Sequence, residues 1–452
     1  MEKYLGNKRS LLDSIYNFIE LNTSNTSSII DIFAGTTNVG RYFKNKGYHV
    51  ASNDINRFSY ILGLSYLTLK SIPQYENIKL PIRTQDDVSY LEEHLIKQVK
   101  KDKGQLFTLK RNELKKFFSI FNILDYLNNL EHYTPERKYI IDYFTADGQH
   151  SSYTSLRGTK LNRNYFSKEN AIKINNILEK IREWWQNKLL SKQEIAILLT
   201  AVIEEIVLVA NVSGTFHDFH RNKFWTNSLQ TFTLKLPLSI ISKTNSKIYC
   251  DDALELAKHL PYHDILYIDP PYNFRQYTSY YHLLNLIAAY PFMNNLDEYM
   301  KDLSYVRGQN PADEFKSKFC FKNQFIDALR YLIENTNCKY VVMSYYGGKN
   351  HWNHWSKKED KYDTGFKEIN NLFQNKNIFK SSSSQETFQL RQNFQSRIGE
   401  KKQYIDEYLF FGEKNLYFED KKSYNLNYDA LAEHNKNFEL NFFNYYTNEH
   451  SL

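Results

Sequence analysis

Apolar runs of strand length lie near both ends of the chain, and segments with helical spacing separate them. The runs occupy residues 27–33, 48–52, 247–250, 263–268, 339–346 and 404–411. Continuous apolar runs are typical of strands that are buried on both faces, as in a parallel sheet covered by helices. The pattern therefore predicts an α/β domain that is assembled from two separated parts of the chain.

The helical spacing is clearest in the segments that border these runs. Before the first run, Leu12, Ile15 and Ile19 recur at the spacing of one helix face. Residues 41–44 open a predicted helix after the first strand, and residues 254–260 predict another before the run at 263–268. The alternation of strand and helix favours a parallel sheet.

The middle of the chain has a different character. Strand signals fade between residues 61 and 245, and long polar segments with scattered aromatic residues, such as 193–209, predict helix. Farther on, the polar residues 381–399 predict a loop, and the tail from Asn415 has no chemistry that we can assign. The predicted division is 1–60, 61–245, 246–414 and 415–452. The first and third segments form the α/β domain, and the second is a largely helical insertion.

A turn of small residues, 34–40, follows the first strand. Its Gly35 lets a ligand approach the backbone closely, as nucleotide-binding α/β folds require. Asp54, after the second strand, follows Gly35 by 54 − 35 = 19 residues, close to the spacing of about 20 at which an acid binds ribose hydroxyls. A strand-end acid can also cap a helix, but the glycine turn ahead of it favours the ribose role.

The strand at 263–268 ends in a rigid, acidic and aromatic loop, Asp269-Pro270-Pro271-Tyr272. The two prolines fix φ and remove two backbone donors, so the loop continues neither a ladder nor a helix. It offers a carboxylate, carbonyl acceptors and a flat ring, which suit the exocyclic amino group of a stacked heteroaromatic base. Such a base must first be rotated out of its helix. The alternative is a strand end followed by an ordinary turn.

A second acid occupies a comparable position. Asp252 follows the strand at 247–250, and Asp269 comes 269 − 252 = 17 residues later, after the next strand. Successive strands that end in acids place carboxylates along one edge of a parallel sheet. Open α/β folds bind their ligands at that edge.

Composition and charge add wider limits. With 452 residues, of which 42% are hydrophobic and 24% charged, the chain is long enough for a large core. The excess of Lys and Arg over Asp and Glu, 58 − 51 = 7, permits nucleic acid binding without requiring it. Eight cations and two acids in 97–116 predict a phosphate-tracking face, although a solvated helix face gives the same pattern. Polar residues in 151–168 suit contacts with base edges.

The three cysteines, Cys250, Cys320 and Cys338, lie far apart without paired spacing. They predict neither a zinc site nor a disulfide framework. The histidines in 213–225 also lack metal-ligand spacing, and we interpret them as surface or packing residues. Because the sequence has neither an apolar signal core nor a run of about 18 apolar residues, we expect an unanchored cytoplasmic protein.

Taken together and in order, these motifs resemble those of the adenine-N6 DNA methyltransferases, more narrowly the Dam-like group of the D12 class, which carries a target-recognition insertion. The resemblance is carried by Tyr4-Leu5-Gly6-Asn7-Lys8, Asp31-Ile32-Phe33-Ala34-Gly35, Asn53-Asp54, Asp252-Ala253 and Asp269-Pro270-Pro271-Tyr272. The segment 273–277 and the following Tyr281-His282 resemble a branch found in restriction-modification systems. The likeness covers about 1–60 and 205–412.

The resemblance implies a fold, a cofactor and a set of cofactor-binding residues. The fold is α/β: a seven-stranded, mainly parallel, Rossmann-like domain with the insertion as target-recognition domain, and the cofactor is S-adenosylmethionine. Its binding residues are Tyr4, Asn7, Lys8, Asp31, Phe33, Gly35, Asp54, Asp252, Ala253 and Asp269. The methionine moiety is expected among Asn7, Lys8, Phe33 and Gly35. Asp54 is expected at the ribose and Asp252 at the adenine amino group.

The resemblance also implies that Asp269, Pro270, Pro271 and Tyr272 are the catalytic residues. The Asp269 carboxylate and the Pro270 carbonyl accept hydrogen bonds from the adenine amino group, which frees the N6 lone pair for in-line attack on the methyl group. Tyr272 stacks on the rotated base. Neither a covalent intermediate nor a metal is expected.

One position departs from the family pattern. The family has a second glycine two residues after Gly35, and this chain has Thr37. The threonine still offers an amide and a hydroxyl to a ligand.

The resulting prediction is a site-specific adenine DNA methyltransferase of a restriction-modification system. Cytosine-N4 methylation uses the same amino-group chemistry, but Asp269 in place of serine favours adenine. The weaker alternatives are RNA methylation, a nicotinamide-dependent dehydrogenase and a DNA-binding module without catalysis. A dehydrogenase would leave loop 269–272 without a role. The expected partner is double-stranded DNA, bound by a monomer, with a cognate restriction endonuclease as a second candidate and no membrane.

Overall fold

The fold is given by a computed structural model, which describes most of the two predicted domains. The described residues are 4–80, 89, 93, 117–130, 132–155, 158–237, 244–348, 350–352, 364–391 and 403–417. The predicted basic face at 97–116 lies outside the described residues, and so does the tail after Tyr417.

The described residues form nine strands, seven of which build one central sheet. In chain order the strands are β1 (Ser28–Asp31), β2 (His49–Asn53), β3 (Ser152–Thr154), β4 (Lys160–Asn162), β5 (Ser246–Tyr249), β6 (His263–Ile268), β7 (Cys338–Tyr346), β8 (Phe379–Arg391) and β9 (Gln403–Lys414). The sheet order is β5-β2-β1-β6-β7-β9-β8, and β3 pairs with β4 in a separate hairpin. The first five strands of the sheet are parallel, whereas β9 runs antiparallel to β7 and β8. The predicted seven-stranded, mainly parallel sheet is confirmed.

Helices cover both faces of this sheet and make up most of the regular secondary structure of the described insertion. They are α1 (Leu12–Asn22), α2 (Asn38–Asn45), α3 (Arg57–Leu67), α4 (Phe118–Asn128), α5 (Tyr139–Phe144), α6 (Lys168–Gln186), α7 (Lys192–Val209), α8 (Ala253–Leu256), α9 (Tyr277–Tyr280), α10 (His282–Ala289), α11 (Leu296–Lys301), α12 (Lys322–Asn335) and α13 (Thr364–Phe373). Within the part of the chain that the structure covers, no helix combines the length and the apolar character needed to cross a bilayer.

Alternating strand residues create two separate cores, because successive side chains of a strand point to opposite faces. Ile29 of β1 and Val342 of β7 belong to the core that α1, α3 and α7 complete. Ile30 and Val341, their neighbours in sequence, belong to the core that α8, α12 and α13 complete. Strands buried on both faces explain the continuous apolar runs of the sequence.

The insertion shares the first of these cores. Its helix α7 matches the predicted helix at 193–209 and packs on both α3 and α10. Ser191 and Glu194 form a capping box at its start, which satisfies backbone amides that a helix N-terminus leaves unpaired. The predicted boundary between residues 60 and 61 falls inside α3. Helix α3, which follows β2, and the insertion therefore pack together as one body.

Buried side chains connect the insertion to the third segment of the chain, 246–414. Arg163, which is 3% exposed, donates hydrogen bonds to the carbonyls of Leu303, Tyr305 and Val306 at 3.0–3.1 Å. A buried guanidinium needs several acceptors to offset its lost hydration. The carbonyls of one loop meet that need, so the β4 end of the insertion has a fixed position relative to the residues after α11.

The prediction of a loop at 381–399 is wrong for its first part. Residues 381–391 belong to β8, which pairs with β9 from Phe379 opposite Lys414 to Arg391 opposite Gln403. This strand lies at the sheet edge, and most described side chains of its serine run are exposed. A polar edge strand lacks the apolar pattern by which buried strands are recognised. Its polar side chains discourage pairing of the open edge with another chain.

His282 makes a second link between the insertion and the segment 246–414. It is 3% exposed, and its Nε2 donates to the carbonyl of Phe216 at 2.9 Å. Burial, with smaller contributions from Arg307 and other nearby cations, lowers the pKa of His282 to about 3. Because the unfolded chain binds a proton near pH 6.5 and the folded chain does not, this group stabilises the fold above about pH 6.5 and loses that contribution as the pH falls.

We expect His282→Gln to flatten the pH dependence of stability. Between pH 7.5 and pH 5, the free energy of unfolding of this variant should fall by about 2 kcal/mol less than that of the wild type. Urea unfolding at both pH values measures the difference. His49→Gln, which removes an exposed imidazole, is the control. Equal slopes for wild type and His282→Gln would contradict the assignment.

Candidate active site

The turn between β1 and α2 is shaped by Gly35. Its φ is +49°, in the left-handed region that favours glycine. A Cβ at this position would lie 2.8 Å from Cε1 of Tyr4, closer than two carbon atoms can pack. The glycine therefore lets the Tyr4 ring close over the turn, and a larger residue would displace it.

Thr37 occupies the position at which the family has glycine, and it adopts a glycine-like conformation. Its φ is +60°, which is unusual for a β-branched residue. Its amide donates to the carbonyl of Ala34 at 2.7 Å. Its hydroxyl is buried without a hydrogen-bond partner among the described residues. The amide that the sequence offered to a ligand is therefore used inside the turn.

Asp54 joins the end of β2 to this turn. Its Oδ2 accepts the Gly35 amide at 2.8 Å, and its Oδ1 accepts the backbone and side-chain N–H groups of Asn56 at 2.9 and 2.8 Å. Burial raises the pKa of Asp54, and these donors oppose the rise. Oδ2 accepts a single hydrogen bond and keeps a second acceptor site, so Asp54 can bind a hydroxyl while it holds the turn.

Asp252 and Asn53 order the neighbouring strand ends. Asp252 caps α8 through Oδ1, which accepts the Leu254 amide at 3.1 Å. The Asn53 side chain bridges two strand ends, since it donates to the carbonyl of Ile32 at 3.2 Å and accepts the amide of Asp251 at 3.0 Å. The acids predicted at the sheet edge are thus fixed in place by hydrogen bonds.

The N-terminal segment reaches this edge because aromatic residues hold it there. The Tyr4 ring stacks on Tyr281 with centroids 4.6 Å apart and planes at 21°. The Leu5 amide donates to the Tyr281 hydroxyl at 2.8 Å. These contacts place Asn7 and Lys8, which follow directly, beside the ends of β1 and β6.

Lys8 forms a buried ion-pair network with two carboxylates. Its Nζ lies 2.8 Å from Oδ1 of Asp269 and 2.9 Å from Oε1 of Glu407. Lys8 is 4% exposed and Glu407 is fully buried. The same Oδ1 of Asp269 accepts the Ser344 hydroxyl at 3.2 Å, and Ser344 is itself 2.9 Å from the Tyr267 hydroxyl. The carboxylate of the catalytic loop is therefore fixed from one side.

The charges in this network support one another. Burial opposes the charge on Lys8, but the attraction of Asp269 and Glu407 outweighs it and raises the pKa of Lys8 well above its usual range. Burial raises the pKa of Asp269, while Lys8 and Ser344 oppose that rise. One cation between two carboxylates leaves a net negative site, which favours a partner that donates hydrogen bonds.

Tyr272 closes the catalytic loop with its ring largely covered. It is 9% exposed, and its ring centroid lies 4.7 Å from that of Tyr346 at the end of β7. Pro270 and Pro271 have no backbone N–H, so the chain has no amide donor between Asp269 and Tyr272. The loop thus presents acceptors and an aromatic ring without competing donors.

Two adjoining cavities bring the predicted site residues together. The larger has about 720 Å³ of empty space, which includes open solvent. Its predicted lining residues are Tyr4, Phe33, Asp54, Asp252, Ala253, Asp269, Pro270, Pro271 and Tyr272. The smaller, with about 300 Å³, is lined by Tyr4, Asn7, Lys8, Asp31, Phe33, Gly35 and Asp269. Every candidate residue therefore lines at least one of them.

Asp31 shows what the smaller cavity suits. It is 1% exposed, and its Oδ1 has no hydrogen-bond partner among the described residues. Burial, followed by repulsion from Asp269, raises the pKa of Asp31 well above its usual range. An unsatisfied buried acceptor is costly, and a ligand that carries an ammonium group would relieve it.

Two residues of this site, Glu407 and Ser344, were not predicted from the sequence, and Asn53 was named only as part of a motif. Glu407 and Ser344 hold the ion-pair network, and Asn53 bridges the strand ends. A signal for the first two was present, because each is a polar residue inside an otherwise apolar strand. Among the residues with described structure, no group of three or more His, Cys, Asp or Glu side chains is arranged to hold a metal ion.

Comparison with known proteins agrees with this arrangement. A family model described as D12 class N6 adenine-specific DNA methyltransferase matches residues 4–346. The chain is 32% identical over 346 residues to Type II methyltransferase M.FokI of Planomicrobium okeanokoites. The aligned residues cover 76% of this chain and 44% of that protein. The chain is 30% identical over 349 residues to Modification methylase LlaI of Lactococcus lactis subsp. lactis, with 76% and 46% covered.

A third relative is closer in length. Type II methyltransferase M.NlaIII of Neisseria lactamica is 28% identical over 351 residues, which cover 76% of this chain and 82% of that protein. The aligned part spans less than half of the first two relatives. The family model, by contrast, extends from the Tyr4 segment through the catalytic loop to the end of β7. The chain therefore belongs to the D12 class N6 adenine-specific DNA methyltransferase family.

Proposed function

We propose that this chain is a site-specific DNA methyltransferase that acts on the N6 amino group of an adenine rotated out of duplex DNA. The observation that carries the proposal is the acceptor pair of the catalytic loop. Asp269 is oriented by Lys8 through Oδ1, and the Pro270 carbonyl follows it directly beside the Tyr272 ring. A base amino group has two N–H donors in one plane, and this pair offers it two acceptors.

S-adenosylmethionine is the proposed methyl donor, and the two cavities fit its two ends. The unpartnered Oδ1 of Asp31 suits the ammonium group of a methionine moiety in the smaller cavity. Asp54 and Asp252 in the larger cavity suit a ribose and an adenine amino group. When bound, the cofactor supplies a methyl group on a positively charged sulfur.

The catalytic loop makes the amino nitrogen a better nucleophile. The N6 lone pair of adenine is delocalised into the ring, so the free base attacks poorly. Oδ1 of Asp269 is held by Lys8 and Ser344, which leaves Oδ2 to accept one N–H while the Pro270 carbonyl accepts the other. These hydrogen bonds favour a tetrahedral nitrogen with a localised lone pair, and the fixed geometry lowers the cost of reaching the transition state.

Proton balance follows from the same contacts. As the N–C bond forms and the C–S bond breaks, N6 must release one proton. The Asp269 carboxylate already accepts that N–H, so it is the proposed first acceptor on the way to solvent. The charged Lys8 has no free electron pair and serves to orient Asp269, not to take the proton.

The biological setting is also a proposal. Two relatives are named modification methylases or type II methyltransferases, and we infer that this chain protects DNA against a cognate restriction endonuclease. We propose that it acts as a monomer in the cytoplasm, where its DNA substrate lies. Cytosine-N4 transfer is the competing reaction, and the adenine-specific family model favours N6.

Methyl transfer to unmethylated plasmid DNA tests the proposed function. With isotopically labelled S-adenosylmethionine, the digested product should contain labelled N6-methyldeoxyadenosine, identified by mass spectrometry. Asp269→Ala should lower the rate at least about 100-fold, because it removes an acceptor used in the transition state, and should retain DNA binding. The exposed Asp302→Ala is the control. Labelled N4-methyldeoxycytidine would overturn the base assignment, and transfer to RNA alone would overturn the substrate.

Glu407→Gln tests the ion-pair network with little change in shape. Without the second carboxylate, Lys8 attracts Asp269 alone, which makes Asp269 a weaker acceptor and lowers its pKa. We expect kcat to fall about tenfold, equivalent to about 1.4 kcal/mol, and the acid limb of the pH-rate profile to move to lower pH.

The matched control is Glu413→Gln, the same change near the other end of β9, where the acid pairs with Lys380 at 3.3 Å near the surface. It should leave kcat and the pH-rate profile unchanged. An acid limb that stays in place in Glu407→Gln would show that Glu407 does not act on Asp269 through Lys8.

A further inference from the structure

The turn after the catalytic loop presents a half-exposed aromatic side chain. Phe274 is 50% exposed, whereas Tyr272, two residues earlier, is 9% exposed. Phe274 lies outside the lining of both active-site cavities. Single exposed apolar residues are common on protein surfaces, so its position and its support decide whether it has a role.

The turn that carries this ring is braced on both sides. Asn273 is 4% exposed, and its Oδ1 accepts the Arg275 amide at 3.0 Å. The Arg275 carbonyl accepts the thiol of the buried Cys320 at 3.2 Å. Side-chain to backbone bonds of this kind fix a turn. Phe274 therefore occupies the apex of a fixed turn next to the catalytic residues.

Arg275, the next residue of this turn, has a cationic side chain that lies against an aromatic ring. The Arg275 guanidinium lies 5.4 Å from the centroid of the Tyr280 ring, and His217 stacks on the same ring at 4.9 Å. Arg307 donates to the Ser279 hydroxyl at 3.1 Å. Burial and the nearby guanidinium groups of Arg307 and Arg275 lower the pKa of His217. Arginines at the margin of a cavity suit contacts with DNA phosphates.

Rotating a base out of a duplex leaves a gap in the stack and an unpaired partner base. Proteins that distort DNA commonly insert apolar side chains between base steps and recover part of the lost stacking. A ring suited to this role must be apolar, exposed, rigidly placed and close to the pocket that receives the base. Among the exposed large apolar residues that the structure describes, Phe274 combines these features with a position two residues after the 269–272 loop.

We propose that Phe274 inserts into the duplex at the space that the rotated adenine vacates. This inference rests on the proposed methyl transfer to a base rotated out of duplex DNA. Phe274 acts as a positioning residue, because it contacts the DNA stack and neither the cofactor nor the reacting nitrogen. Arg275 on the same turn contacts the adjoining phosphate and keeps the ring in register with the gap.

Two duplexes test the proposal with one set of variants. Both carry the recognition site mapped on methylated plasmid DNA, and they differ in the residue opposite the target adenine, which is thymine in one and an abasic site in the other. The variants are Phe274→Ala, Phe274→Trp and, as control, Tyr331→Ala, an aromatic residue 37% exposed on α12. Initial methylation rates give kcat/KM, 2-aminopurine fluorescence at the target position reports base rotation, and urea unfolding verifies the fold.

On the paired duplex, Phe274→Ala should lower kcat/KM by about 10- to 100-fold, the range for losing one aromatic stacking contact. The 2-aminopurine signal should fall with it. On the abasic duplex the same variant should stay within about threefold of wild type, because an unpaired adenine rotates out at lower cost. Phe274→Trp keeps a flat apolar ring and should stay near wild type on both duplexes, as should Tyr331→Ala.

Two results would overturn the inference while the proposed function stands. One is an unchanged rate for Phe274→Ala on the paired duplex. The other is an equal loss on both duplexes, which would assign Phe274 to the shape of the site. Failure of the wild type to methylate either duplex would instead overturn the proposed function, and the inference with it.

Discussion

The ion pair between Lys8 and Asp269, with Glu407 as second carboxylate, is the interaction on which the site depends. Its members come from the N-terminal segment, the loop after β6 and strand β9, so it forms only when the two ends of the α/β domain have assembled. A buried cation with two acids is costly unless all three are paired. The folded sheet meets that condition and in return fixes the Asp269 carboxylate, which we propose as hydrogen-bond acceptor for the base amino group.

The insertion is joined to this site by polar contacts that are as buried as the core. Arg163 binds the carbonyls of the loop after α11, and His282 holds the carbonyl of Phe216. Helix α7 packs on α3, the helix that follows the second strand. The part of the chain that we assign to target recognition therefore has little freedom to move independently of the catalytic loop.

Local motifs made much of this arrangement predictable from sequence. Gly35, Asp54 and the 269–272 loop each stand at a strand end, and parallel strands bring such ends to one edge whatever lies between them. Glu407 was not predictable in the same way, because its place opposite Tyr346 depends on the antiparallel pairing of β9 with β7. Strand β8 was missed since its polar serines pair through the backbone at an edge. The pairing of distant strands carries information that the periodicity of one segment does not contain.

The most direct test of the account is a crystal structure of the chain with a non-reactive S-adenosylmethionine analogue and a duplex that carries its recognition site. The target adenine should lie outside the helix, with N6 at about 3 Å from Oδ2 of Asp269 and from the Pro270 carbonyl. Lys8 should remain paired with Oδ1 of Asp269. An adenine that stays stacked in the duplex, or an N6 atom beyond hydrogen-bond distance of both acceptors, would contradict the mechanism.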